Sequence, residues 1–174
     1  HYLKEIKKKE SIANILNKHC LRSEGLLYDE SNQLYHSLFV NAENHLKIVE
    51  LLSKHHYGLT QSTIKTKSKL PQSSLVRMLD ELEECDFITK YYPIDKKKKD
   101  ATYRLSDFYS LFYLKFIRQH KPGLKDAWKH YSATQAYSVW CGYAYENICL
   151  AHMDQITFAL GISGISTAIN SWVF

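Results

Sequence analysis

Only three prolines interrupt this 174-residue chain, and 45% of its residues are hydrophobic, which excludes a disordered polymer and favours a folded, helix-rich protein. That length can bury one sizeable core or two small ones. Glycine is scarce too. None of the six glycines sits in a phosphate-cradling loop, and no Gly-x-x-x-x-Gly-Lys-Ser/Thr occurs, so nothing within these residues reads as a nucleotide site. No apolar run approaches the ~20 residues needed to cross a bilayer, and no signal peptide is present. The four cysteines, Cys20, Cys85, Cys141 and Cys149, show no paired spacing and point to a reduced, cytoplasmic protein. Cys85 and Cys149 fall on apolar helical stripes, where cysteine acts as a small hydrophobe. Catalytic signatures are missing as well: no nucleophile elbow and no activated cysteine, so no catalytic residue is assigned and the chain reads as non-enzymatic. Metal spacing is equally thin. His55 and His56 are adjacent and point apart, while Cys149 and His152 make only two ligands.

What is present is an ordered series of parts over residues 41–106. Asn41–Leu52 carries Leu46, Ile48, Val49, Leu51 and Leu52 at helical spacing. Gly58 closes that helix, and Thr60 offers a side-chain oxygen to cap a short second helix through Ile64. Pro71 with Ser73 and Ser74 opens a third helix, with Leu75, Met78, Leu79 and Leu82 on its buried stripe. Two strand-like runs follow, Phe87–Tyr92 and Ala101–Leu105, joined by a tip that holds Lys96, Lys97, Lys98 and Lys99. Three helices and a hairpin in this order predict a winged helix-turn-helix. The fold class is therefore mainly α with a small β wing.

The flanks are helical. Ser11 can cap Ile12–Leu21, with Ile12, Ile15, Leu16 and Cys20 on one side. A second helix over Leu26–Phe39 turns Leu27, Leu34, Leu38 and its aromatics inward. This pair has too little apolar surface to stand alone and needs to lean on something. After the wing, Asp107–Gln119 is strongly apolar, and the His120-Lys-Pro-Gly123 break marks the best domain boundary. Tyr137–Leu160 reads as a long helix and Ile165–Phe174 as a strand with nothing in the chain to pair with. Both ends look cut from something longer.

The net charge of +5 is modest but gathered, at Lys7–Lys9, at Lys65, Lys67 and Lys69, and at Lys96–Lys99. Each run is either a solvated face or a phosphate-contacting one. In a helix-turn-helix the third helix enters the major groove, and its first turn reaches the bases. Here that turn offers Gln72, Ser73, Ser74 and Arg77, of which glutamine and arginine can make bidentate base contacts. Lys96–Lys99 can grip flanking phosphates, with Lys65, Lys67 and Lys69 on the backbone. Against this, Glu81, Glu83, Glu84 and Asp86 crowd the far half of the same helix and repel a phosphate backbone. Duplex DNA and a protein partner both stand as ligands.

Three phrases of the chain then carry a resemblance. They are Leu38-Phe-Val-Asn-Ala-Glu-Asn-His-Leu-Lys-Ile-Val, Lys97-Lys-Lys-Asp-Ala-Thr-Tyr-Arg-Leu-Ser-Asp-Phe-Tyr-Ser-Leu-Phe-Tyr-Leu-Lys-Phe-Ile, and Trp140-Cys-Gly-Tyr-Ala-Tyr-Glu-Asn-Ile-Cys. With the opening His1-Tyr-Leu-Lys-Glu-Ile, the chain resembles the archaeal-type AAA ATPases. In these a P-loop ATPase is followed by a winged helix and a restriction-endonuclease-like domain. The resemblance implies a helical tail of the ATPase lid over 1–40, the winged helix over 41–119, and the start of a nuclease-like α/β domain over 120–174. It implies ATP and Mg in a domain preceding His1, and the ATPase core or another subunit as partner. It also aligns Glu146 with the helix glutamate that opens the nuclease-like domain. Glu146 would then be an accessory metal carboxylate, or else a cap or pair within its own helix.

Overall fold

Short polar side chains set where the helices start. Ser11, Thr60, Asp107 and Thr134 each accept a hydrogen bond from the backbone N–H three residues on, at 3.2, 3.3, 2.7 and 3.2 Å. In the computed structural model, which describes residues 2–7, 9–92, 101–121, 123–124 and 126–165, these caps open four of the helices. The elements run α1 (Ile12–Leu16), α2 (Glu30–Leu38), α3 (Ala42–Ser53), β1 (Leu59–Thr60), α4 (Gln61–Ser68), α5 (Gln72–Glu84), β2 (Ile88–Tyr91), β3 (Thr102–Leu105), α6 (Phe108–Phe112), α7 (Ala127–Ser132), α8 (Gln135–Ala151) and α9 (Met153–Ala159). Both α1 and α6 continue into a π-helical turn, Asn17–Leu21 and Tyr113–Ile117. The chain is mainly helical, and among the described residues the strands form one small antiparallel sheet of order β1-β3-β2.

β2 and β3 form a hairpin with Tyr91 opposite Thr102 and Ile88 opposite Leu105. β1 adds to the other side of β3, with Leu59 opposite Tyr103. Gly58 makes that addition possible. It sits at φ +82°, and a Cβ there would lie 2.7 Å from the Tyr103 carbonyl oxygen. Its role thus differs from the helix-closing one read from the sequence: α3 ends at Ser53, with Lys54 as its C-cap.

Two clusters of buried side chains hold the elements together. The first gathers Ile48, Val49 and Leu52 of α3, Ile64 of α4, Leu75, Met78, Leu79 and Leu82 of α5, and Ile88, Tyr103 and Leu105 of the hairpin. Tyr35 and Phe39 join it from α2, and Tyr35 Oη lies 2.9 Å from Ser110 Oγ. The second is aromatic, with Phe116 5.0 Å from Trp140 and 5.4 Å from Trp128 between ring centroids. Cys20 and Leu21 reach into it, and the Asn17 side chain accepts the Trp128 N–H at 2.9 Å. The two amino-terminal helical segments therefore serve different cores, which is how each buries an apolar face it cannot bury alone.

Several inward faces differ from the sequence reading. Ile12 and Leu38 are exposed, because Ala13 and Leu16 face the aromatic cluster and Tyr35 and Phe39 take the inner side of α2. Cys85 is exposed just past the end of α5. The long helix expected over Tyr137–Leu160 breaks at His152, whose φ of −115° is outside helical range. The tetra-lysine tip and the strand over 166–174 lie outside the described residues.

Candidate nucleic-acid interface

The corner between α4 and α5 is built by two backbone features. Lys69 ends α4 in the left-handed conformation, φ 58°, ψ 22°, which turns the chain sharply. Leu70 then drops into the core, and its N–H is taken by Ser68 Oγ at 3.3 Å. Pro71 follows as the N-cap of α5 and has no side-chain acceptor. The first-turn N–H groups of α5, on Gln72, Ser73 and Ser74, therefore carry no side-chain cap at the positive end of the helix.

Around this end the structure places several of the residues singled out from sequence. Lys65, Lys69 and Gln72 line one open depression with Gln61, Ser62 and Thr66. Lys67 and Ser73 are exposed outside it, and Ser74 is half-buried. Arg77 stands further along α5, exposed, with its Nε 3.4 Å from Glu81 Oε1. Lys96, Lys97, Lys98 and Lys99 lie outside the described residues.

Sequence reasoning passed over two buried residues, His45 near this surface and Arg104 away from it. His45, an apparently polar surface residue of α3, is 1% exposed and stacks on Phe39 at 4.1 Å between ring centroids. Its Nε2 is 2.7 Å from Glu81 Oε2, so the acid nearest Arg77 is engaged on both oxygens. Arg104 of β3 is only 4% exposed and donates to Glu146 of α8 at 2.8 Å. The signal for His45 was its i, i+3 and i+4 spacing to Ala42, Ile48 and Val49, the buried stripe of α3. Nothing local marks Arg104. It is buried where Glu146 and Asn147 of α8 meet β3.

Glu146 therefore pairs across the fold, and not within its own helix. The Arg104 hydrogen bond holds its carboxyl below the ordinary glutamate range, ahead of the opposing effect of partial burial. His56, stacked on Tyr143 at 3.8 Å beside this pair, has its basicity lowered by burial first and by the Arg104 and Lys115 charges next. Among the described residues, no three His, Cys, Asp or Glu side chains converge to hold a metal, and no helix is long and apolar enough to cross a membrane. Searches of protein-family models, curated proteins and solved structures return no match to this chain.

Proposed function

We propose that residues 41–106 are a winged helix-turn-helix that binds duplex nucleic acid along the α4–α5 edge. In this reading it is the coupling module of an AAA-type ATP-binding protein. Residues 1–40 would then continue the ATPase lid, and residues 120–174 would open a nuclease-like domain. ATP and Mg would be held by the ATPase core, and this portion would bind without catalysing. The order α3-β1-α4-α5-β2-β3 supports the first part of the reading, since helix, helix, helix and hairpin occur in the sequence such a module requires.

One observation carries the ligand. The open first turn of α5 sits beside Lys65, Lys69 and Gln72, combining unpaired backbone donors, a helix dipole and two cations in one place. That combination favours an oxyanion such as a backbone phosphate. The acids of α5, namely Asp80, Glu81, Glu83 and Glu84, begin two turns later, and Glu81 is already engaged by Arg77 and His45. A duplex seated at the amino-terminal end of α5 keeps its phosphates on the cationic side.

The test is fluorescence anisotropy of a labelled 20-bp duplex titrated with the chain over a range of salt. Binding should weaken with a logarithmic slope of roughly −0.9 per phosphate neutralised, and Lys65→Ala with Lys69→Ala should flatten it by about two such units. Absence of salt-dependent binding by the wild-type chain ends this reading. The acidic carboxyl-terminal half of α5 favours a second one, a protein-docking module that meets a basic face of the ATPase core. A duplex-blind chain that instead binds the separately expressed core would support it.

A further inference from the structure

His45, Glu81 and Arg77 form a line from core to surface that a solvated helix face does not need. The imidazole lies under α5, and its Nδ1 faces the Asn41 carbonyl at 3.0 Å. A carbonyl only accepts, so Nδ1 carries a proton and donates. Nε2 faces the Glu81 carboxylate at 2.7 Å, within hydrogen-bond distance. The other Glu81 oxygen then holds Arg77 at 3.4 Å.

The point of attachment matters. Glu81 meets the guanidinium at Nε, which leaves the Nη1 and Nη2 groups unused by this contact. Those two are the ends that pair with O6 and N7 of guanine in the major groove. An isolated i, i+4 surface pair gives little order, because both long side chains wander. Here the carboxylate is pinned from beneath by a buried ring, itself stacked on Phe39, so its oxygen is a fixed post for the arginine. Ser73 lies one turn before Arg77 on the same exposed stripe, so the arginine follows the first turn of α5 into any groove that this turn enters.

We propose that Arg77 reads a guanine in duplex DNA, and that buried His45, acting through Glu81, is the positioning residue that presents its two terminal nitrogens. This rests on the duplex-binding reading above. It also accounts for an acid in the middle of a nucleic-acid-facing helix: Glu81 is spent on orientation, with both of its oxygens engaged.

The experiment is selection of duplexes from a randomised pool with the full chain, followed by anisotropy on the winner and on the same duplex carrying 7-deazaguanine. The wild-type chain should enrich one guanine, and removing N7, which leaves O6 in place, should weaken binding by about 5-fold, the lower end of what a bidentate pair is worth. Arg77→Ala should abolish that ratio. Glu81→Gln keeps an acceptor for His45 but releases the arginine, and it should cut the ratio at least threefold while the salt slope stays as in the wild type. His45→Gln should do the same, with circular dichroism and thermal melting reporting whether the fold holds. Since that buried site can unfold, the half-exposed Glu81 variant carries the decision. Salt-dependent duplex binding with an unchanged ratio in Glu81→Gln overturns the positioning role and leaves the interface standing. A uniform loss of affinity for every duplex, tracking a fall in melting temperature, also overturns it, as a purely structural effect. A wild-type chain that shows no salt-dependent duplex binding removes the interface and this inference with it.

Discussion

Replacing Glu146 by alanine strands a buried guanidinium, and the cost can be worked from its surroundings. Arg104 is 4% exposed on β3, and the Glu146 oxygen at 2.8 Å is its ion-pair partner among the described residues. Removing one member of a fully buried pair costs about 3–5 kcal/mol. The Glu146 side chain, however, is 38% exposed, so water can enter and solvate part of the arginine. About 2 kcal/mol is the reasonable figure after that discount. At 2–4 °C per kcal/mol for a chain of this size, the melting temperature should fall by about 4–8 °C. The assay is urea unfolding of four proteins: wild type, Glu146→Ala, Arg104→Met, and the double variant. Because the charge is stranded only when one partner is missing, the double variant should recover most of the loss, with a coupling of at least about 1 kcal/mol. The Asn147 side chain, which donates to the Leu105 carbonyl at 3.3 Å, should keep α8 on the strand in each variant. Additivity within about 0.5 kcal/mol would refute the claim that the pair fastens α8 to the sheet.

Acid should destabilise the protein for two reasons of the same sign. Glu146 has a depressed carboxyl pKa, held down mainly by the Arg104 hydrogen bond, so its contribution is present above the ordinary glutamate range and lost as pH falls through the folded value. His56 is held neutral, mainly by burial, so the unfolded imidazole takes up a proton first below about pH 6.5 and stability drops there too. Urea midpoints at pH 7.5, 5.5 and 4 should decline in that order, and a midpoint that rises on acidification would contradict both attributions. Thiol chemistry should separate the cysteines: burial pushes the Cys20 thiol up to about 11, whereas Cys85 is exposed. A chromogenic disulfide reagent should label Cys85 quickly in the native protein and Cys20 only on unfolding; early labelling of Cys20, seen by peptide mapping, would show the aromatic core to be open. Lys69→Gly relieves a left-handed backbone at a non-glycine residue, so it should be neutral or stabilising by up to ~1 kcal/mol while weakening duplex binding. A clear fall in melting temperature would mean the Lys69 side chain is structural.

Local chemistry makes much of this fold readable from the sequence. The stripe Leu75, Met78, Leu79 and Leu82 is buried as its spacing requires, and Thr60 and Ser11 cap the helices they precede, because periodicity and capping act within one turn. The pairing of Phe87–Tyr92 with Ala101–Leu105 was equally legible, as β-rich runs around a turn. What the sequence by itself determined, then, was the order of the three central helices and the β2–β3 hairpin, while β1, α7 and the break at His152 were not legible in it. Only the tertiary structure decided that a histidine and an arginine lie inside while Ile12 and Leu38 lie outside. Burial depends on partners far along the chain: α5 roofs over His45, Glu146 of α8 meets Arg104, and the aromatic cluster chooses which side of α1 it takes. Polar groups enter a core only when a distant element supplies their hydrogen bonds, and no window of neighbouring residues contains that information.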